Sequence, residues 1–232
     1  MNDVVILDPA KHSQLKLTAP DYSHVAEQHI LPISLHEFAA AASDSPVVFV
    51  KNSNTGEFQP VVILGLMPGQ NIKQHEGKWL GRYIPNILKD YPLTVVLNPD
   101  EQDKVWIGIR EENPQVSSTD GEPLFDGVEE TPFLTQRKEA LIKHFEEDQQ
   151  TKAVMRYFAD NELFISQTLN VSVKGEPRSI NGLYLIDEDK LNQLDDEAFL
   201  GLRKRGLLGP IYSHLTSLHQ INRLAAEHAA AE

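Results

Sequence analysis

Along this 232-residue chain the spacing of apolar positions changes several times, and each change predicts an element. Residues 47–51 and 59–66 are β-branched runs separated by Asn52-Ser53-Asn54-Thr55-Gly56-Glu57, whose Asn and Gly suit the positive φ angles of a tight connection. A β-hairpin is expected. Residues 93–97 and 104–109 repeat the pattern around Asn98-Pro99-Asp100-Glu101-Gln102-Asp103, so a second hairpin follows and four antiparallel strands precede residue 110. Residues 163–173 alternate well enough for a fifth strand, which Gly175-Glu176-Pro177 turns back towards a sixth at 182–186.

Helical spacing occupies other stretches. Ser34 with Glu37 three residues on is a capping box, so a short helix starts there and ends by Asp44-Ser45-Pro46. Thr131-Pro132 supplies an N-cap and a first-turn proline, with Leu134, Leu141, Ile142 and Phe145 as the buried stripe of a helix over 131–159. The polar run 146–150 leaves open whether Ala153, Val154 and Phe158 continue that helix or belong to a second. Residues 187–194 and 196–205 read as two short helices with an Asp near each start, favourable against the helix dipole. Gly209-Pro210 opens a last helix with Ile211, Leu215, Leu218, Ile221 and Leu224 on one face, and 226–232 as a frayed tail. Residues 1–20 form an arm with a strand-like run at 4–7. Residues 111–130 lack either period apart from the pair Leu124-Phe125, and read as a long loop. The sum is an α+β fold in one domain, an antiparallel sheet of about six strands with helices packed on one face; a partly closed barrel is the alternative architecture.

Composition narrows the function. Twenty-one Lys and Arg against 34 Asp and Glu give a formal charge of -13, a field that repels nucleic acid and anionic membrane surfaces. The densest basic cluster, Arg203-Lys204-Arg205, falls where a helix C-terminus favours cations. The absence of cysteine excludes disulfides, thiolate metal sites and cysteine nucleophiles together. The N-terminus lacks the basic start and small-residue cleavage site of a signal peptide, and no apolar run approaches the roughly 20 residues that span a bilayer. A soluble, acidic, cytoplasmic protein is expected.

Motifs of common enzyme classes are missing: there is no phosphate-cradling GxGxxG or GxxxxGK[ST] and no GxSxG nucleophile elbow. The pairs His24/His29 and His214/His219 are five apart, whereas four apart puts two imidazoles on one helix face; no metal or other cofactor is expected. His214 reads first as a buried histidine hydrogen-bonded to the fold, and second as a ligand or acid-base group.

The segment 65–92 is the exception to its surroundings. Asn71, His75, Glu76, Lys78, Arg82 and Tyr83 crowd a loop and helix start after a buried strand, where polar site groups are commonly displayed. In the plain reading Trp79, Tyr83 and Ile84 are the core side of a short helix closed by Pro85. In the functional reading Trp79 and Tyr83 line a concave surface while Asn71 and Arg82 orient a peptide or small ligand.

The blocks Leu64-Gly65-Leu66, Gln70-Asn71, Gly77-Lys78-Trp79, Arg82-Tyr83-Ile84-Pro85 and Tyr91-Pro92 resemble the SapC family of bacterial proteins. So do Gly182-Leu183-Tyr184-Leu185-Ile186-Asp187-Glu188, Gly206-Leu207-Leu208, Ile211-Tyr212, His214-Leu215 and Ser217-Leu218, in the same order along the chain. The resemblance spans roughly residues 30–226. It departs from the family pattern at Gly108-Ile109-Arg110 and at Ile72-Lys73. The family takes its name from a protein associated with surface-layer production, and the resemblance transfers no catalytic residue. Two expectations follow. The first is a non-enzymatic accessory protein that binds a peptide or protein partner in secretion, assembly or modification of surface proteins, with ligand contacts at Asn71, Trp79, Arg82, Tyr83 and His214. The alternative is a peptide-acting enzyme, a hydrolase or metal-dependent oxidative enzyme, with a site assembled from His75, Glu76, Arg82 and His214.

Overall fold

The computed structural model describes residues 4–98 and 104–231. The chain divides into two compact units, Met1–Asp21 with Asn86–Glu146, and Tyr22–Pro85 with Glu147–Glu232.

In the first unit, Leu93–Leu97 pairs antiparallel with Val105–Ile109 in unbroken register, from Leu93 opposite Ile109 to Leu97 opposite Val105. The expected turn at 98–103 lies outside the described residues beyond Asn98. Val5–Ile6 adds as a third strand against Val105–Ile109, and the arm then turns through a helical stretch, Pro9–His12, capped by the Asp8 carboxylate. The segment 111–130 is not a free loop: Val116–Ser117 and Glu122–Pro123 flank Lys16–Leu17 as a small antiparallel sheet. The reason is the apolar pair inside it, since Leu124 and Phe125 are buried with Leu93, Ile109, Leu134 and Leu141 and pull the polar chain on either side onto the unit.

Thr131 caps the long helix Pro132–Asp160, its Oγ1 accepting from the Leu134 N–H at 3.2 Å. The helix is continuous through 146–150, because that run is polar but holds neither Gly nor Pro and its side chains face outward or sideways. Of the stripe expected in its first half, Leu134 and Leu141 are buried while Ile142 is exposed.

In the second unit a five-stranded antiparallel sheet runs in the order Phe164–Val173, Glu176–Ile186, Val47–Lys51, Phe58–Ile63, Ile30–Pro32. Two of the expected hairpins lie in it and the third lies in the other unit, so the strands form separate sheets; none closes into a barrel among the described residues. Helices cover both faces of this sheet, where one was expected. Val47, Val48 and Phe49 are all fully buried, and a strand apolar on successive positions needs cover on two sides. On one face Val48, Val61, Ile63, Val171 and Leu183 pack with Leu224 and Ala225 of the helix Gln220–Ala231. On the other, Phe49 meets Phe38, Phe164 and His214, and Phe164 meets Phe158 of the long helix.

The short helices Glu188–Asn192 and Asp196–Lys204 start on the carboxylates of Asp187 and Asp195. Arg203 and Lys204 occupy the last turn of the second, and Arg205 stacks 4.9 Å from the centre of the Tyr157 ring. The last predicted helix is two, Leu208–Ser217 and Gln220–Ala231. The tail expected over 226–232 is helical as far as Ala231, and His228 within it is buried.

Candidate functional site

The segment expected to enter a helix near Trp79 instead folds as a hairpin, Gln74–His75 against Lys78–Trp79. Glu76 and Gly77 form its turn with φ of 48° and 76°, the pair of left-handed conformations that lets a two-residue connection follow the twist of the strands. Residues 80–85 then run without regular structure, so their backbone groups need partners other than a helix or sheet. Asp44 supplies them. Its Oδ2 accepts from the N–H of Arg82 at 2.8 Å and of Tyr83 at 3.4 Å, and its Oδ1 lies 2.7 Å from Arg223 Nη2 and 3.5 Å from Lys73 Nζ. Lys73, itself buried, reaches Glu227 at 2.7 Å.

Three of the five predicted ligand residues, Trp79, Arg82 and Tyr83, gather around this carboxylate, and Asn71 fixes the backbone of the neighbouring Lys73. The Trp79 indole N–H donates to the Tyr83 carbonyl at 2.7 Å, and its ring lies tilted on Tyr22 at 5.7 Å. The Tyr83 hydroxyl donates to Glu37 Oε1 at 2.5 Å, while Glu37 Oε2 accepts from the Ser34 N–H at 2.8 Å. Burial first, then the hydrogen bond and charge of Glu37 and the charge of Glu147, hold the Tyr83 phenol far above the usual tyrosine range. Asn71 donates from Nδ2 to the Val25 carbonyl at 3.0 Å and accepts from the Lys73 N–H at 2.9 Å. Arg82 contributes its backbone N–H to Asp44 and leaves its side chain exposed. The gap between Asp44, Trp79, Tyr83 and Pro85 has no room for a water molecule.

His214 sits elsewhere, in the helix Leu208–Ser217, with none of its surface exposed. Its Nδ1 lies 2.7 Å from the Val47 carbonyl and its Nε2 accepts from the Ile186 N–H at 3.1 Å, so both nitrogens are used and the proton is on Nδ1. Burial lowers its pKa to about 4, against a smaller opposing effect of the Val47 bond. His75 and Glu76 stand on the hairpin tip with side chains 74% and 82% exposed. The four groups of the enzymatic alternative are therefore not brought to one place. Among the described residues no group of three or more His, Asp or Glu side chains is placed to hold a metal ion, and no helix is long and apolar enough to cross a membrane.

A cleft of about 270 Å³ opens in the second unit, between the turn of the Val47–Lys51 and Phe58–Ile63 hairpin and the second half of the long helix. Phe58, Pro60, Met155 and Ala159 form its apolar part, and Glu57, Asp148, Lys152, Arg156 and Asp160 bring both signs of charge. The walls are fixed from behind. Phe58 stacks on Phe164 at 4.3 Å and meets the edge of Tyr184 at 5.0 Å, and Thr151 accepts from the Leu35 N–H at 2.8 Å while donating to the Glu147 carbonyl at 2.7 Å. Arg156 Nη2 lies 2.7 Å from Glu57 Oε1, linking helix to hairpin. In sequence these residues look like a turn and a helix surface, and the alternation of charge at Asp148, Lys152 and Arg156 is the signal that the surface carries.

An apolar patch with a few polar groups of mixed sign suits binding. The fold and this site define a mixed α+β protein with a walled cleft beside its largest sheet. The chain belongs to the SapC family, whose family model matches residues 7–224. No curated protein and no solved structure matches it.

Proposed function

We propose that this chain is a non-enzymatic accessory protein of the cytoplasm that binds a peptide or protein partner during the secretion, assembly or modification of surface proteins. The cleft of about 270 Å³ beside the hairpin carries this reading. Its size suits a few side chains of an extended segment, with apolar contact to the half-buried Phe58 and Ala159 and charge partners of both signs on the rim. The net charge of -13 disfavours a polyanion as the partner. Membership of the SapC family supports the surface-protein setting.

The test is affinity capture from bacterial lysate with the unaltered chain beside Lys152→Glu and Arg156→Glu, whose exposed side chains line the cleft outside the buried core. A protein retained by the unaltered chain and lost from both variants is the expected result. Equal retention by all three, or none by any, overturns the proposal.

A further inference from the structure

The two edges of the five-stranded sheet are built differently. One is Ile30–Pro32, three residues ending in a proline. The other is Phe164–Val173, ten residues reading FISQTLNVSV, without a charge, a proline or a glycine. Exposed edges carry a row of unpaired N–H and C=O groups, and sheets protect them by shortness, proline, charge, a bulge or a cover. The first edge uses two of these devices and the second uses none of its own. Even the irregularity in its pairing sits on the inner strand, where Asn181 and Gly182, the latter at φ 76°, together face the single residue Thr168.

The strand is covered on a face but open at its side. Val171 and Val173 are buried against the helix Gln220–Ala231, whereas Ile165, Ser166, Gln167, Thr168, Asn170 and Ser172 are exposed. Among the described residues its one neighbour in the sheet is Glu176–Ile186.

We infer that this edge pairs antiparallel with the same edge of a second copy of the chain, about a two-fold axis through Thr168. On a molecule of net charge -13, a neutral run of ten residues is where two copies approach with least repulsion. The flanks add complementarity. Glu162 and Lys174 stand in the turns just beyond the two ends of the strand, so the two-fold brings each Glu162, which already holds Lys190 at 2.5 Å, to the same end of the paired edge as Lys174 of the other copy. In the same register Ile165 faces Val171, Gln167 faces Leu169 and Ser166 faces Asn170, which leaves no charged group opposite its like. The pairing joins two five-stranded sheets into one of ten.

Sedimentation of the full chain over a roughly hundredfold range of concentration is the first measurement, with a reversible dimer expected at the upper end. Amide hydrogen exchange run beside it shows protection of 164–173 rising with the dimer fraction. Thr168→Lys places two lysines directly opposite one another and weakens the dimer at least about tenfold, and Thr168→Glu does the same. Mixing the two variants restores it, which separates loss of pairing from loss of folding. A chain monomeric throughout overturns the inference. So does a dimer indifferent to Thr168→Lys, a mixture that stays monomeric, or protection of 164–173 that appears only when a different protein is added.

Discussion

His214 and Val47 are 167 residues apart in sequence, yet the imidazole Nδ1 lies 2.7 Å from the Val47 carbonyl in the middle of the second unit. Its other nitrogen takes the Ile186 N–H, and the ring packs 4.8 Å from Phe49. One side chain thus joins the helix Leu208–Ser217 to two adjacent strands, as a neutral group.

That neutrality makes stability depend on pH in one direction. The unfolded chain binds a proton on this residue near 6.5 and the folded chain only near 4, so the unfolded state holds more protons between those values. The contribution is present above about pH 6.5 and is lost as pH falls to about 4, amounting to roughly 3 kcal/mol. Urea denaturation of the unaltered chain and of His214→Leu at pH 7 and pH 4.5 checks this. The variant is expected to be less stable at pH 7 by about 2–4 kcal/mol, having orphaned a buried N–H and C=O, and to lose less between the two pH values.

Asp44 is the second test of core polarity. Asp44→Ala leaves Lys73 and Arg223 with Glu227 as their remaining carboxylate and orphans the N–H groups of Arg82 and Tyr83, and is expected to cost about 2–4 kcal/mol in a denaturant titration. Gly81→Ala should act on the same place from the other side. A Cβ there falls 2.6 Å from Asp44 Oδ2 and 2.7 Å from Trp79 Nε1, so about 1–3 kcal/mol is expected from overpacking.

The Glu57–Arg156 pair separates binding from stability. Both side chains are more than half exposed, so Glu57→Ala and Arg156→Ala are each expected to move stability by less than about 1 kcal/mol. Partner capture by the same variants should fall several-fold if the cleft is the binding site. Thermal melts and capture assays on one set of samples read both.

The hairpin tip offers a stabilising change. Glu76 holds φ at 48°, a conformation that asparagine adopts more readily, and its side chain is in solvent. Glu76→Asn creates an Asn-Gly turn and is expected to raise stability by about 0.5–1 kcal/mol with no effect on partner capture, measured in the same way.

The sequence by itself determined the elements whose signals are local. The hairpin Val47–Lys51 with Phe58–Ile63 was legible because β-branched runs flank Asn and Gly, and the helix starts at Asp187, Asp195 and Thr131 were legible because a cap acts within one turn. The separated blocks from Leu64 to Leu218 likewise carried the family. Tertiary structure alone decided what depends on remote partners. The stretch around Trp79 became a hairpin and loop once Asp44 took the N–H groups of Arg82 and Tyr83, and the side chains of Asn71, Trp79 and Tyr83 became ties of that region. The cleft requires Glu57 and Arg156 to meet across 99 residues, and the hub requires Asp44 to meet Arg223 across 179. Periodicity records which face of an element is apolar; which other element covers that face is set by packing, and a site made where two elements meet leaves no pattern in either one.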